Sequence, residues 1–501
     1  MSVTGSAARD PRLFLVLLPL GAACDDTPAA APDTGTPDAA IVEVDALTVP
    51  ELPGEHVPPQ TQREGDPARG FEVLARGAYV GCGIPADLIP IAQDAGMLGE
   101  DPPLPGRDEA LPYYLSRFTT ASGVEVVGPN CMICHAGVGV DGQVVVGLPG
   151  IDLDFGGFAS QISGFESQIG ALAGLLAPES YAELVKFADR LATIAPYVQT
   201  EVQGVNPADN LAGILFSHRD RDTLAWSEEP LIDPPPPIVA PVDPPPWWRM
   251  KKKSTMFYTA LGRGDHGRIM MTASTLCVDT VEDARAIDAD FGHVRAYIAS
   301  LEAPRWPEEI LGTIDPELAR RGQGLFEASC SKCHGTYGET GGATRDDDTY
   351  PNLWVTLDEI GTDPILAVGA SHVAERFVDW FNDSFYGETA WLDPQRGYVP
   401  PPLDGVWATA PYLHNGSVPT LAQVLDSSAR PTYWRRQAGF DATSVGLPHQ
   451  VVDVGHDQIP GPGRRTVYDT TLIGYGNGGH DFADHLDEAQ RTALIEYLKT
   501  L

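Results

Sequence analysis

Amphipathic periodicity recurs at two places in the chain. Residues 294–301 (VRAYIASL) and 494–501 (LIEYLKTL) carry apolar side chains at positions i, i+3, i+4 and i+7, which form one stripe of a helix. Residues 66–70 (DPARG) and 315–322 (DPELARRG) resemble each other as helix starts, with aspartate at the N-cap and proline at the first helical position. The pattern predicts an opening helix and a closing helix in each half of the chain.

The N-terminal region lacks such periodicity. An apolar run at residues 13–23 follows two arginines and is too short to cross a bilayer, which is typical of a secretory signal. Residues 20–24 (LGAAC) resemble a bacterial lipobox in which Cys24 is lipidated, although Gly21 is not the preferred residue there and ordinary cleavage stays open. We predict a signal peptide and lipobox at 1–24, and export as a periplasmic or cell-surface lipoprotein or a secreted protein. Residues 25–62 are rich in proline, alanine and aspartate and predict a disordered tether.

The pentapeptide Cys-x-x-Cys-His occurs twice, at residues 131–135 and 330–334. This spacing is the attachment signal of c-type haem, in which two thiols bond the porphyrin and the histidine becomes the proximal iron ligand. A thioredoxin-type redox pair and half of a zinc site are the alternatives, but zinc needs a further ligand pair and neither motif has another cysteine near it. We therefore predict two covalent c-type haems. The residues that would attach them are Cys131, Cys134, His135, Cys330, Cys333 and His334.

Each half of the chain carries an opening helix, a haem motif and a closing helix, in the order of a cytochrome c domain. Two prolines at residues 303–307 (APRWP) separate the halves. We predict a mainly α protein with two cytochrome c-like domains, each with one covalent haem, at residues 63–303 and 304–501.

Insertions are predicted to enlarge the first domain. The valine-rich runs at residues 123–128 and 142–147 flank the haem motif and predict a small β-hairpin. Residues 158–202 predict amphipathic helices, and the proline-rich residues 233–246 predict stiff, extended backbone. Long loop and helical insertions of this kind can reshape the mouth of a haem pocket.

Composition limits the partners. The net charge of -36 argues against nucleic acid or an anionic membrane surface, so membrane contact is expected only through a lipid anchor. An acidic face can dock a basic redox partner protein, although solubility is the more common reason for such a charge. Of the seven cysteines, Cys82 and Cys277 remain after the haem motifs and Cys24, and they are a candidate disulfide in an exported chain.

The second haem cannot take a methionine from its own half. The seven methionines lie at positions 1, 97, 132, 250, 256, 270 and 271, and none lies beyond Met271. A methionine ligand raises a haem potential, whereas a second histidine lowers it. The histidine candidates in this half are His372, His414, His449, His456, His480 and His485.

Residues 410–421 (APYLHNGSVPTL) resemble a segment beside the C-terminal haem of the di-haem bacterial cytochrome c peroxidase superfamily. The sequence of this segment is most similar to that of the rubber oxygenases, which are exported di-haem proteins that cleave polyisoprene with dioxygen. Residues 81–85 (GCGIP), 262–266 (GRGDH) and the proline-rich run that leads into Trp247 and Trp248 are similar to the same branch. The resemblance covers most of the chain from about residue 66 to residue 501.

The resemblance implies roles for named residues. His334 and His414 would bind the second iron, and His135 would bind the first, whose other side is open for dioxygen. His266, Trp247 and Trp248 would line the distal pocket of that first haem. His266 could alternatively ligate iron, act as a general base on peroxide, or be a satisfied structural residue. His218 and His293 are weaker candidates.

The sequence is compatible with three functions. The first is an oxygenase that uses dioxygen at the N-terminal haem on a small or polymeric apolar substrate, with the C-terminal haem in electron transfer. The second is a di-haem enzyme that acts on peroxide. The third is an electron carrier without chemistry of its own, which requires two protein ligands on both irons.

Overall fold

The computed structural model describes residues 55–94, 99, 101–107, 111–152, 154, 156–157, 176–338, 348–372 and 374–501. The predicted signal peptide, Cys24 and residues 25–54 of the predicted tether lie outside the described residues. The same holds for the first part of the predicted helical stretch 158–202. The side chains of residues 370–375, which include the candidate His372, also lie outside them. The described end of the predicted tether is ordered, which corrects the predicted disorder there, because Glu55–His56 pairs with Leu353–Thr356 and Gln62 donates to the Gly264 carbonyl at 2.9 Å.

Four helices reproduce the predicted repeat. The opening helices are Pro67–Arg76 and Pro316–Ser329, and the closing helices are Val281–Ser300 and Glu488–Leu498. Each opening helix begins as predicted, because an aspartate at the N-cap accepts backbone N–H groups of the first turn and proline follows it. In each half the opening helix packs across the closing helix.

A glycine lies at each of the two helix crossings. A Cβ atom added at Gly70 would overlap the carbonyl oxygen of His293, and one added at Gly322 would overlap that of Ala493. The β-carbons of Tyr297 and Tyr497 lie next to the same two glycines. The two halves therefore use the same close approach of backbones, which only glycine permits.

Gly322 and Gly324 offer a matched test of this crossing within one helix. We expect Gly322→Ala to lower the free energy of unfolding by about 1–3 kcal/mol, because the added methyl group must push two helix backbones apart. Gly324 is exposed and has no atom within 4 Å of an added Cβ. Gly324→Ala should therefore stabilise by about 0.5–1 kcal/mol through helix propensity. Equal denaturation midpoints for the two variants would contradict the crossing.

The remaining helices are short, apart from one of seventeen residues, and they surround these pairs. The α-helices are Ile89–Asp94, Met132–His135, Pro178–Ile194, Ala208–Ser217, His266–Met270, Glu308–Leu311, Ser331–His334, Leu357–Ile360, Ile365–His372, Ala374–Asp383 and Leu421–Val424. The 3-10 helices are Ala86–Leu88, Ala195–Tyr197, Trp247–Lys252, Met271–Leu276, Phe385–Glu388, Val406–Ala408, Ser427–Ala429, His456–Gln458 and Gly461–Thr466. None of the described helices is long and apolar enough to cross a membrane.

The strands of the described part are short and pair antiparallel in small sheets. Glu55–His56 pairs with Leu353–Thr356, which also pairs with Gly397–Tyr398. Tyr433–Arg436 pairs with both His449–Val451 and Tyr468–Asp469. The other pairings join Ile84–Pro85 to Glu125–Pro129, Leu115–Thr119 to Glu125–Pro129, Ala136–Val138 to Val144–Val146, and Gly262–Gly264 to Ala390–Leu392.

The two valine-rich runs do not pair with each other, which corrects the predicted hairpin. Residues 125–129 pair with Leu115–Thr119, and Val144–Val146 pairs with Ala136–Val138. Each run finds its partner a few residues away across a turn with a positive-φ glycine, at Gly123 and Gly142 respectively. A pairing between the runs would have to enclose the haem motif, which instead forms a helical turn between two separate hairpins.

The apolar cores do not follow the predicted boundary at residue 303. Phe377, Phe381 and Tyr386, from the second half, are buried in the core that surrounds the first haem motif. Val202 and Val205, from the first half, are buried with the second core. The two halves therefore interlock, and the division into residues 63–303 and 304–501 stays a prediction.

A disulfide joins Cys82 to Cys277, with their Cα atoms 5.7 Å apart. It links the loop before Ile84–Pro85 to the end of the 3-10 helix that precedes the first closing helix. The backbone carbonyl of Cys277 also accepts a hydrogen bond from Lys186 Nζ at 2.8 Å. Three distant parts of the first half are therefore held at one point.

Candidate haem sites

The first Cys-x-x-Cys-His motif forms a single helical turn on a rigid support. Cys131 begins the turn Met132–His135, and its backbone N–H donates to the Tyr79 hydroxyl at 3.0 Å. The Asn130 side chain accepts the N–H of Met132 at 2.9 Å and donates to the Tyr113 carbonyl. These contacts fix the backbone of the turn that carries both thiols and the histidine, the residues that covalent haem attachment requires.

The His135 ring is half-buried and stacked on Trp247, with ring centres 4.9 Å apart and planes 24° apart. The adjacent hairpin holds both residues, because Gly147 donates to the His135 carbonyl and accepts the N–H of Trp247. Burial lowers the pKa of His135 to about 4, against a smaller opposing effect of the Pro245 carbonyl. The imidazole is therefore neutral at pH 7, as an iron ligand must be.

Trp247 lies beside the motif histidine, and its distal role stays a prediction. Its ring is stacked on the face of His135, the residue that would be the proximal ligand of a haem bound at Cys131 and Cys134. Trp248 is buried, and its indole nitrogen donates to the Asp404 carbonyl at 2.8 Å. Trp248 thus connects the two halves of the chain, and its distal role stays a prediction.

His266 is 1% exposed, and neither of its ring nitrogens has a hydrogen-bond partner among the described residues. It begins the short helix His266–Met270, whose N-cap Asp265 accepts the N–H of Gly267. Burial lowers the pKa of His266 to about 4, with help from the positive charges of Arg295 and Lys253 and against an opposing effect of the Ser254 backbone. A buried, neutral imidazole with two unused nitrogens is what a side chain that faces a bound group presents.

The second motif follows directly from the second opening helix. Cys330 ends that helix and begins the turn Ser331–His334. His334 Nδ1 lies 2.8 Å from the Pro401 carbonyl, which can only accept, so Nδ1 carries the proton and Nε2 keeps its lone pair. The Tyr337 hydroxyl donates to the His334 carbonyl at 3.0 Å. Burial lowers the pKa of His334 to about 4.

A second imidazole, that of His480, lies against His334. The two ring centres are 6.1 Å apart and the planes are inclined by 62°. With metal–nitrogen bonds of about 2 Å, two imidazoles that bind one iron from opposite sides are centred about 6 Å apart. His480 has a positive φ of 49°, and its N–H donates to the Ile360 carbonyl at 2.8 Å. Burial lowers its pKa to about 4.

His414, the histidine favoured by the resemblance, has a different neighbour. Its ring stacks on Tyr398 with centres 4.3 Å apart, and its Nε2 is buried without a partner among the described residues. Burial lowers the pKa of His414 to about 3. In the described part of the chain, the histidine ring that lies against His334 is that of His480. The ligand role of His414 therefore stays a prediction, and His480 is the alternative ligand that lies nearer to His334.

The other candidate histidines are engaged elsewhere or exposed. His218 stacks on Trp226 and donates to the Ser227 carbonyl, and His293 accepts the N–H of Asp66. The ring nitrogens of His449 contact Gln423 and the Leu447 carbonyl, that of His456 contacts the Val467 carbonyl, and His485 is exposed. His480 stands after two glycines with no recognisable motif, so the sequence offered no reason to rank it above the others.

The residues present at both motifs fit a covalent haem. Cys131, Cys134, Cys330 and Cys333 are free thiols, whereas Cys82 and Cys277 are already paired. Each motif histidine is a neutral imidazole with a proline carbonyl beside it. In the second half, the opening helix Pro316–Ser329 leads directly into the motif turn, as a cytochrome c-like haem domain requires.

Comparison with known proteins agrees with this class. A family model described as RoxA-like, cytochrome c-like matches residues 397–435, which include Pro401 and His414 but neither haem motif. The match supports a haem-dependent cytochrome related to the rubber-oxygenase-like cytochromes.

Two curated proteins of Sinorhizobium fredii (strain NBRC 101917 / NGR234) are also similar. The uncharacterized protein y4iJ is 30% identical over 289 residues, which cover 46% of this chain and 46% of that protein. The uncharacterized protein y4iM is 31% identical over 256 residues, covering 44% of this chain and 56% of that protein. The chain thus spans about half the length of the curated relatives it matches.

Proposed function

We propose that the protein is an exported di-haem c-type cytochrome that acts as an oxygenase, using dioxygen at the N-terminal haem. The observation that carries this proposal is that, among the described residues, a second histidine ring lies beside one motif histidine and not beside the other. His334 has a second imidazole at the spacing of a bis-histidine iron, whereas no second histidine ring lies against His135 in the described part of the chain. A site with one protein ligand can bind a small molecule, and a site with two cannot readily do so.

A haem held by Cys131, Cys134 and His135 would supply a redox-active iron with one open position, at which dioxygen can be activated. The surrounding residues would orient the histidine ligand and exclude water from the site. Trp247 and the hairpin after the motif fix the His135 ring. His266, buried and neutral, is available to hold a proton at a ring nitrogen. His334 and His480 would hold the second haem as a low-potential electron store.

An apolar substrate, small or polymeric, agrees with the surroundings of the first motif. A cavity of about 430 Å³ opens beside the hairpin that begins after His135. Its walls are mainly apolar and come from both halves, among them Val138, Leu148, Trp407 and Phe440. Such a cavity accepts hydrocarbon by removing its surface from water.

Export agrees with the disulfide. Cys82 and Cys277 are paired, and stable disulfides are typical of compartments outside the cytoplasm. The acidic composition, with a net charge of -36, favours a basic protein as any redox partner.

The test is electron paramagnetic resonance of the oxidised holoprotein, with a parallel absorption measurement on reduced, oxygen-free protein. We expect one low-spin and one high-spin iron, and an absorption change of the high-spin haem alone when dioxygen is readmitted. His266→Ala should leave the high-spin signal in place. Two low-spin irons that respond to neither dioxygen nor peroxide would establish an electron carrier and contradict the proposal.

A peroxide-dependent reaction is the second candidate function, favoured by His266. A buried neutral histidine with two unused nitrogens can act as a general base on peroxide. Turnover with hydrogen peroxide that is lost in His266→Ala, without oxygen-dependent turnover, would select this function over the oxygenase.

A further inference from the structure

Arg249 is a buried cation without an anionic partner. It is 5% exposed, its Nε donates to the Asp404 carbonyl at 3.0 Å, and its Nη2 donates to the Thr409 hydroxyl at 3.3 Å. No carboxylate of the described residues lies within 4.0 Å of its guanidinium, since its contacts are limited to these neutral acceptors. A charge buried in this way is normally paired, because leaving water costs it several kcal/mol.

Lys253, four residues further on, is a half-buried cation that also lacks an anionic partner among the described residues. It follows the 3-10 helix Trp247–Lys252, and its ammonium lies 6.0 Å from the centre of the Tyr258 ring. Within the described part of the chain it, too, has no carboxylate within 4.0 Å. Burial and the like charge of Arg249 lower the pKa of Lys253 to about 8. Two neighbouring cations inside the protein therefore repel each other with no anion in contact with either.

The nearest carboxylates are already engaged or out of reach. Lys252 Nζ lies 2.8 Å from Asp404 Oδ1 and 3.1 Å from Asp348 Oδ2, so one lysine contacts both of these acids. Asp243 is buried, and burial raises its pKa well above the usual range although Arg249 opposes the rise. Arg249 and Lys253 therefore form a positively charged site with which no carboxylate of the described residues is in contact.

This positive site borders the second haem motif. The Tyr337 ring, whose hydroxyl donates to the His334 carbonyl, lies 4.7 Å from Lys252 Nζ. Tyr258, beside Lys253, packs in the same apolar cluster as Cys333. The backbone after Lys253 is fixed there as well, because Ser254 donates to the Asn352 side chain at 2.6 Å.

We propose that Arg249 and Lys253, both supplied by the N-terminal half of the chain, bind the propionate carboxylates of the C-terminal haem. The assignment rests on the proposed presence of a haem at Cys330, Cys333 and His334. Every c-type haem carries two carboxylates that need cations or water, and a buried and a half-buried cation beside the motif, neither of them paired with a carboxylate of the described residues, match that need. One half of the protein would thereby hold the cofactor of the other half and raise its reduction potential.

The experiment measures the midpoint potential of each haem in the holoprotein, by redox titration followed through the low-spin and high-spin resonance signals. In Arg249→Gln and in Lys253→Met we expect the C-terminal haem to become harder to reduce by at least about tenfold in the equilibrium constant, or about 59 mV for one electron. The N-terminal haem should shift less. The loss of a cation beside a carboxylate favours the ferric state, which explains the direction.

Lys251→Met is the matched control. It removes one positive charge from the same segment, but Lys251 is paired with Glu302 at 2.7 Å. Arg249→Lys should restore most of the potential lost in Arg249→Gln. If Arg249→Gln fails to assemble, Lys253→Met decides, because Lys253 makes no hydrogen bond that its loss would break in the described structure.

The outcomes separate this inference from the function on which it depends. A haem content below two per chain in the unaltered protein would overturn the proposed di-haem function. Two haems with both variants at the potential of Lys251→Met would overturn the propionate assignment alone. A shift confined to the N-terminal haem would do the same.

Discussion

In the proposed di-haem protein, replacement of His480 by alanine is expected to convert the iron of the C-terminal haem from low spin to high spin. The His480 ring lies 6.1 Å from the His334 ring, the spacing of two imidazoles on one iron, so its removal opens the sixth position. Electron paramagnetic resonance of the oxidised protein should then show loss of essentially all the low-spin signal. Imidazole added to His480→Ala should restore that signal, because it can occupy the vacated position.

His414→Ala distinguishes the two histidines proposed for this position. His414 stacks on Tyr398, so its loss should leave the low-spin signal in place, with at most a small change in its g-values. His485→Ala, which removes an exposed histidine five residues from His480, is the control for the loss of any imidazole. A high-spin signal in His414→Ala, with His480→Ala unchanged, would reverse the assignment.

The features that sequence predicts well here are those that depend on neighbouring residues. The opening helices were predictable because Asp66 and Asp315 cap the helices that they precede. The packing of the opening and closing helices was predictable from the repeated order of elements. The two haem turns follow from a five-residue motif, whose thiols and histidine must lie on one turn.

The features that sequence does not predict depend on long-range folding. His480 reaches His334 from 146 positions away in the chain, and nothing in its local sequence marks it as a ligand. Trp247 stacks on His135 because Gly147 holds both residues, a contact between segments a hundred residues apart. The valine-rich runs share a composition, but each pairs with the strand nearest to it in the chain. The interlocked cores likewise require the whole fold.

The largest effect on stability is expected from the paired replacement of Cys82 and Cys277 by serine. The disulfide spans a sequence separation of 195 residues, so its removal frees a large closed loop in the unfolded chain. Chain entropy for a loop of this length corresponds to about 5 kcal/mol in the free energy of unfolding. The measurement is the midpoint of guanidinium unfolding of the holoprotein, monitored by circular dichroism. The midpoints report stability when the dependence of the free energy of unfolding on denaturant is the same in both proteins.

The loss should be concentrated at the first haem. Cys82 lies against Gly128, in the strand that leads to Cys131, so an open disulfide loosens the support of the first motif and not that of the second. Mild thiol reduction of the unaltered protein should lower the midpoint to that of the double variant, since thioether bonds to haem resist thiols while the disulfide does not. The haem absorption at the first motif should then be lost at lower denaturant than that at the second. Identical midpoints in oxidised, reduced and double-variant protein would show that the crosslink contributes nothing, and that Lys186 and the packing around Cys277 suffice to hold the loop.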